Sequence, residues 1–414
     1  MTITKNDIRD AIEARREEIT DLLCDLIRFP STRGNEGPIH RYLRDRMAGL
    51  TDVCERVPIP ETITEDPEYS FSLEGITYAD RPNLRIVRKG IGGGKSVLFN
   101  THVDVVPPSK IQERPFDPQV QDGVVYGRGA CDAKGQIATL YLVLRALNDL
   151  NLALKGDLTV HLVIEEECGG NGTLSCIRGP DRADAAIVLE PSGMTLLPSI
   201  RGAVWFEVTC TGRSGHSGQA RVVVSALKEA ISAIGILEGY HARLLAASKG
   251  LPLFDRFENP MPITFGMLEA GDWPATAPQT AIFKGVLGFL PNKTKEQIQA
   301  EMRQVLIEEG DTWLKDHFDL NFIYRHDSSV IPTDHPLVTT MAEACGQAGI
   351  APEITAMPAS CDAWFYNNLL GIPTLVTGPG KLQYAHSNQE QIAVEEILQG
   401  AEALIHFLMG WCEV

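Results

Sequence analysis

The feature that most constrains this chain is a repeated one, in which apolar, strand-like runs end in acidic or imidazole side chains. Leu158 to Ile164 runs straight into Glu165-Glu166-Glu167, Ala185 to Leu189 runs into Glu190, and Ser96 to Val106 carries the triplet His102-Val103-Asp104. Short β-branched runs bounded by turns such as Gly169-Gly170-Asn171-Gly172 read as buried strands. Carboxylates gathered where such strands end repel one another and lose hydration, so protons or a cation must neutralise them. A divalent cation does this most economically.

The surrounding pattern alternates helix and strand. A long first helix is expected from Asn6 to Phe29, ended by Pro30. Leu84 to Val87 and Ser96 to Val106 flank the turn Gly90-Ile91-Gly92-Gly93-Gly94 as a pair of sheet strands. After the loop Gly127 to Gly129, helical spacing from Lys134 to Leu150 puts Asp132 near a helix N-terminus, where the dipole favours a carboxylate. This alternation predicts an α/β sheet covered by helices, with its functional groups at strand C-terminal ends.

From Arg201 the pattern changes. Strands are expected at Val204 to Thr209, Ile263 to Leu268, Gln279 to Phe289 and Asn321 to Arg325, with helices from about Val222 to Ala247 and Lys295 to Glu309. Two helices on an antiparallel sheet make a smaller α+β domain over 201–327. It is inserted in an α/β domain of 1–200 plus 328–414, which resumes through Thr374 to Thr377 and a last helix from Val394 to Trp411. A length of 414 residues suits two cores.

A formal net charge of -17 argues against nucleic acid and anionic membranes as partners, since both select clustered Lys and Arg. No apolar stretch reaches the roughly 20 residues of a membrane span, and the first residues form a charged amphipathic pattern without a signal core. Nine scattered cysteines without CxxC pairs fit reduced thiols, so a cytoplasmic location is expected. Cys131 and Cys168 adjoin the acidic residues and are read as packing groups.

The segments Thr101 to Pro107, Gly127 to Gly135, Glu165 to Gly169, Leu189 to Ser192, Gly215 to Gly218 and Ala385 to Asn388 occur in an order spanning nearly the whole chain. In these motifs the sequence resembles the dinuclear zinc amidohydrolases and metallopeptidases that include acetylornithine deacetylase, succinyl-diaminopimelate desuccinylase, glutamate carboxypeptidase and aminoacylase. The resemblance implies two divalent metal ions, zinc first and cobalt or manganese as alternatives. His102 and Glu190 would hold one, Glu167 and His386 the other, and Asp132 would bridge them. It also implies that Asp104 orients His102 and that Glu166 is the general base; the register with Glu165 as base stays open. His216 would reach the neighbouring subunit's site and stabilise the oxyanion, which implies a homodimer whose inserted domain dimerises.

The implied activity is hydrolysis of a C–N amide bond in a small molecule, foremost deacylation of an N-acyl amino acid or related compound. A dipeptidase or aminopeptidase, a hydrolase of another amide, and a catalytically silent binding module are the alternatives. One departure bears on the substrate. Where relatives carry an arginine for a substrate carboxylate, this chain has Gly285-Val286-Leu287-Gly288, and valine or leucine cannot supply a bidentate grip. Arg201, Arg213 and Arg325 are the candidates to replace it, and Trp364 is either an aromatic wall or core.

Overall fold

The computed structural model describes residues 3–70, 75–216, 218 and 222–414. Among the described residues the main sheet has nine strands. Its middle is parallel, with Leu158–Val163, Val97–His102, Ala185–Val188 and Thr374–Val376 side by side. All four are buried along their length, and strands covered on both faces are nearly continuous apolar runs for that reason. Val53–Val57 and Asn83–Arg88 extend one side, and Leu196–Ile200, Ser329–Val330 and Ile354–Met357 the other.

The parallel register positions the acidic ends. Val163 lies beside His102 and Val188 beside Asn100, so Glu165 to Glu167 and Glu190 leave the sheet at the same edge as His102. The helix Gly135–Asp149 makes the crossover between Val97–His102 and Leu158–Val163, and it packs with the last helix, Val394–Trp411. One apolar core runs through both faces of this sheet.

Residues 202–326 form a second unit of packing. Ile263–Ala270, Thr280–Phe289, Gly202–Thr211 and Phe318–His326 make a four-stranded antiparallel sheet. The helices Ala226–Ala247 and Lys295–Glu309 supply a separate core with it, around Phe206, Val208, Phe283, Leu237 and Met302. The α/β class with an inserted two-helix antiparallel lobe agrees with the sequence reading. A bulge at Ile323, between the pairs Phe322↔Phe206 and Tyr324↔Trp205, shifts the end of the last strand.

Several elements differ from expectation. The first helix is two, Lys5–Glu13 and Arg16–Ile27. A continuous stripe through Ile8, Ile12 and Ile19 would have buried Arg15 or Arg16, whereas the break sends them to Asp149, Glu18 and Glu395. Leu84 to Val87 and Ser96 to Val106 share a sheet but are not neighbours, because Leu158–Val163 lies between them. The long lobe helix begins at Ala226, since Val224 is held extended by a two-way backbone pair with Arg213. Among the described residues no helix is long and apolar enough to cross a membrane, and all nine cysteines are free.

Candidate metal centre

His102 closes its strand fully buried, with its ring between two acids. Its Nε2 lies 3.0 Å from Asp132 Oδ1, and its Nδ1 lies 2.9 Å from the Asp104 carbonyl oxygen and 3.5 Å from Asp104 Oδ1. A metal-bound imidazole needs such an acceptor on its other nitrogen to fix tautomer and orientation. Asp104 serves the next loop as well: its carboxylate accepts the backbone N–H of Glu166 at 3.3 Å and of Glu167 at 3.1 Å.

Asp132 occupies a turn, Ala130–Lys134, rather than the helix it precedes. The Cys131 and Asp132 amides donate to Glu390 Oε1 at 3.2 and 3.0 Å, and Arg128 pairs with that same Glu390 carboxylate. Across from Asp132, His386 Nε2 is 2.9 Å from Glu167 Oε2 and 3.4 Å from Asp132 Oδ2. Ligand atoms of His102, Asp132 and Glu190 all lie within 4.8 Å of one another, and so do those of Asp132, Glu167 and His386. Asp132 belongs to both groups.

The electrostatics fit divalent cations. Burial alone would raise the Asp132 carboxyl, yet hydrogen bonds to His102 and His386 outweigh it and hold the group below the ordinary range. Burial would lower both imidazoles, but their carboxylate neighbours raise them instead. Glu190 is buried, its Oε1 has no partner among the described residues, and burial drives its carboxyl well above the usual range. A buried carboxylate oxygen with no partner among the described residues, beside imidazoles that favour positive charge, is what a site keeps when a cation belongs between its ligands. Imidazole with carboxylates and no thiolate suits zinc, cobalt or manganese.

The three consecutive glutamates have distinct surroundings. Glu165 is in the left-handed region at φ 63° and is buried. Its carboxylate accepts from Arg33 Nε at 3.2 Å, Arg81 Nη2 at 2.7 Å, Tyr78 Oη at 2.9 Å and Asn171 Nδ2 at 2.8 Å. Glu167 faces His386. Glu166 is half-buried and its carboxylate has no hydrogen-bond partner among the described residues. Burial, then the charge of Glu190, raises it well above an ordinary glutamate.

Other expected residues lie elsewhere. His216 is exposed on a two-residue strand paired with Thr276-Ala277, and its Nδ1 accepts the Gly218 amide at 3.1 Å. Among the described residues it makes no hydrogen bond or ion pair with the ligand groups. Ser217, within the Gly215 to Gly218 motif, lies outside the described residues. Of the three arginines, Arg213 stacks on Trp313 and Arg325 donates to the Tyr69 carbonyl. Arg201 donates to the carbonyls of Pro358 at 2.8 Å and Gly202 at 3.2 Å and has no carboxylate partner among the described residues. Its guanidinium occupies the space that a Cβ at Gly288 would fill, and burial lowers its pKa to about 10. Trp364 is core, packed against Phe365 and His326.

Sequence reasoning missed the partners of Glu165 and the buried acid Asp362, whose Oδ2 accepts from Thr173 at 2.6 Å while Oδ1 has no partner among the described residues. No motif marks Arg33, Tyr78 or Arg81, and only contact in space assigns them.

A helix-covered α/β sheet whose strand ends bring two ligand groups together beside an unpaired carboxylate defines a metal-dependent hydrolase. Comparison with known proteins makes the class specific. The chain belongs to Peptidase family M20/M25/M40, which matches residues 98–410. It is 26% identical to N-formyl-4-amino-5-aminomethyl-2-methylpyrimidine deformylase of Bacillus subtilis (strain 168), over 98% of this chain and 97% of that protein. It is 29% identical to acetylornithine deacetylase of Myxococcus xanthus, over 80% and 85% respectively. Among solved structures the fold resembles the dipeptidase Dug1p of Saccharomyces cerevisiae, with a TM-score of 0.80 at 15% identity and full coverage of both chains. An M20 metallo-carboxypeptidase of Sulfolobus solfataricus gives a TM-score of 0.76 at 17% identity, covering 96% of this chain and all of that one.

Proposed function

We propose that this hydrolase removes a small acyl group, formyl or acetyl, from the nitrogen of a small polar molecule, with Glu166 as general base. The carrying observation is the pair of ligand groups joined at Asp132 beside Glu166, the member of the glutamate triplet whose carboxylate has no hydrogen-bond partner among the described residues. His102 and Glu190 would hold one cation, Glu167 and His386 the second, and Asp132 both, with zinc the expected metal. Cations bound there would acidify water from a pKa of 15.7 toward roughly 7 and polarise the substrate carbonyl.

The chain's own residues do the rest. Glu166 takes a proton from the attacking water and returns it to the leaving nitrogen, a task suited to a carboxylate with a raised pKa. Asp104 fixes the Glu166 and Glu167 amides and the His102 ring. His216, exposed on the lobe, would cross to the second subunit of a homodimer formed by residues 201–327 and stabilise the oxyanion there. Should the substrate carry a carboxylate, as an N-acyl amino acid does, Arg201 would supply the positive group that Val286 to Gly288 does not. The deformylase relative aligns over nearly all of this chain, which favours an N-formylated aminomethyl heteroaromatic over an N-acyl amino acid. Free, largely buried thiols are consistent with a reducing, cytoplasmic setting.

The test is a panel of N-formyl aminomethylpyrimidines, N-acetyl amino acids and unblocked dipeptides, run on protein with known metal content. Formyl or acetyl release that E166Q abolishes, at unchanged metal stoichiometry, is the expected result. Turnover by E166Q, or of dipeptides alone, overturns the reading.

A further inference from the structure

The bulge at Ile323 changes which face the end of the lobe strand presents. Before it, Leu320 and Phe322 pair with Val208 and Phe206, whose side chains belong to the helix-packed core. After it, Tyr324 and His326 pair with Trp205 and Ala203, residues of the opposite face, and the Tyr324 ring stacks on Trp205 at 5.0 Å. A one-residue slip transfers side chains to the other face, and bulges near active sites re-aim side chains in this way.

The re-aimed pair meets the loop that carries the glutamates. His326 Nε2 lies 3.0 Å from the carbonyl oxygen of Gly169, three residues after Glu166. His326 Nδ1 lies 2.7 Å from Tyr324 Oη and 3.2 Å from Ser360 Oγ. A carbonyl only accepts, so Nε2 carries the proton, and Nδ1 accepts from a hydroxyl. His326 is buried and neutral, since burial lowers its pKa to about 3. The Glu166 charge is the largest influence after burial on the Tyr324 hydroxyl, which is held protonated.

We propose that Tyr324 and His326 are positioning residues that hold the turn from Glu165 to Gly169 from the inserted lobe, so that the placement of the base depends on how the lobe is seated. Asp104 holds the same turn from the sheet side through the Glu166 and Glu167 amides. The turn is therefore gripped by both units of packing. A base misplaced by about 1 Å loses on the order of a hundredfold in rate, so this contact is a means for lobe position to set turnover. The inference rests on Glu166 being the base, and E166Q tests that assumption separately.

The experiment compares H326F with H326Q. Phenylalanine keeps a ring against Trp364 and Phe365 but has neither donor nor acceptor, whereas glutamine can donate to the Gly169 carbonyl and accept from Tyr324. With two metals bound, H326F should lower kcat by about tenfold or more with little change in KM, and H326Q should recover most of that loss. Recovery distinguishes hydrogen bonding from packing, which phenylalanine should serve better. If H326F does not fold, Y324F/S360A removes both hydroxyls that face Nδ1 and should give the same kcat loss. Unchanged kcat in H326F or in Y324F/S360A, or an H326Q variant as impaired as H326F, overturns the proposal. Turnover by E166Q instead overturns the assignment of the base.

Discussion

Glu165 and Glu166 are adjacent in sequence and opposite in environment, and a pair of isosteric substitutions should separate them. In E166Q the protein loses a carboxylate that has no hydrogen-bond partner among the described residues and whose ionised form burial disfavours. Loss of general-base action costs about 10²–10⁴ in rate, or roughly 2.7–5.4 kcal/mol at 1.36 kcal/mol per decade. Folding should not weaken, because a neutral amide replaces a charge the site repels. In E165Q the loss falls on Arg33 and Arg81, which face a buried carboxylate at 3.2 and 2.7 Å. Removing one partner of a buried ion pair costs about 3–5 kcal/mol; the amide keeps some hydrogen bonds, so about 3 kcal/mol is expected, or roughly 3–5 °C in Tm for a chain of this length. The assays are kcat at saturating substrate, metal content and thermal unfolding on the same preparations. An E165Q protein that is folded, metal-loaded and dead, beside an active E166Q, would refute the assignment.

Chelation should destabilise the protein more as pH rises. Glu166 and Glu190 have folded pKa values raised above the unfolded one, so without cations the folded state binds more protons. Stability then falls as pH climbs above about 4.5, and urea midpoints with and without chelator should diverge in that direction. His161 is raised to about 9, because Cys176 and Asp181 outweigh the effect of burial. Its contribution is complete below about 6.5 and is lost through 9, so the stability difference between the parent and H161Q should shrink over that window. Gly170 has φ 68°, and a Cβ there would overlap the Phe365 ring and the Asp362 carboxylate. Gly170→Ala should therefore cost about 2–5 kcal/mol from strain and overpacking together, read by denaturant unfolding.

The parts of this site that were legible in sequence are those written locally. His102, Glu165 to Glu167 and Glu190 each follow an apolar run, and adjacent parallel strands bring such ends together with little further information. The helix break at Arg15 was hidden because apolar spacing on both sides kept the same period. Phase alone does not reveal two charged residues that must reach Asp149 and Glu395. The role of Glu165 was hidden for a different reason. Its partners Arg33, Tyr78 and Arg81 lie 132, 87 and 84 residues away and have no motif of their own. The bulge at Ile323 leaves no trace in the apolar pattern, since even-numbered residues are the more buried ones on both sides of it, against the helices before it and on the opposite face after it.

That a single aspartate belongs to both ligand groups would couple the two cation positions. Each of the other four groups is counted once, so its removal weakens one position and leaves the second nearly whole. Asp132 has no such half-measure: a substitution that takes its oxygens away would weaken both positions together, and a one-metal form would have to be sought by changing its neighbours.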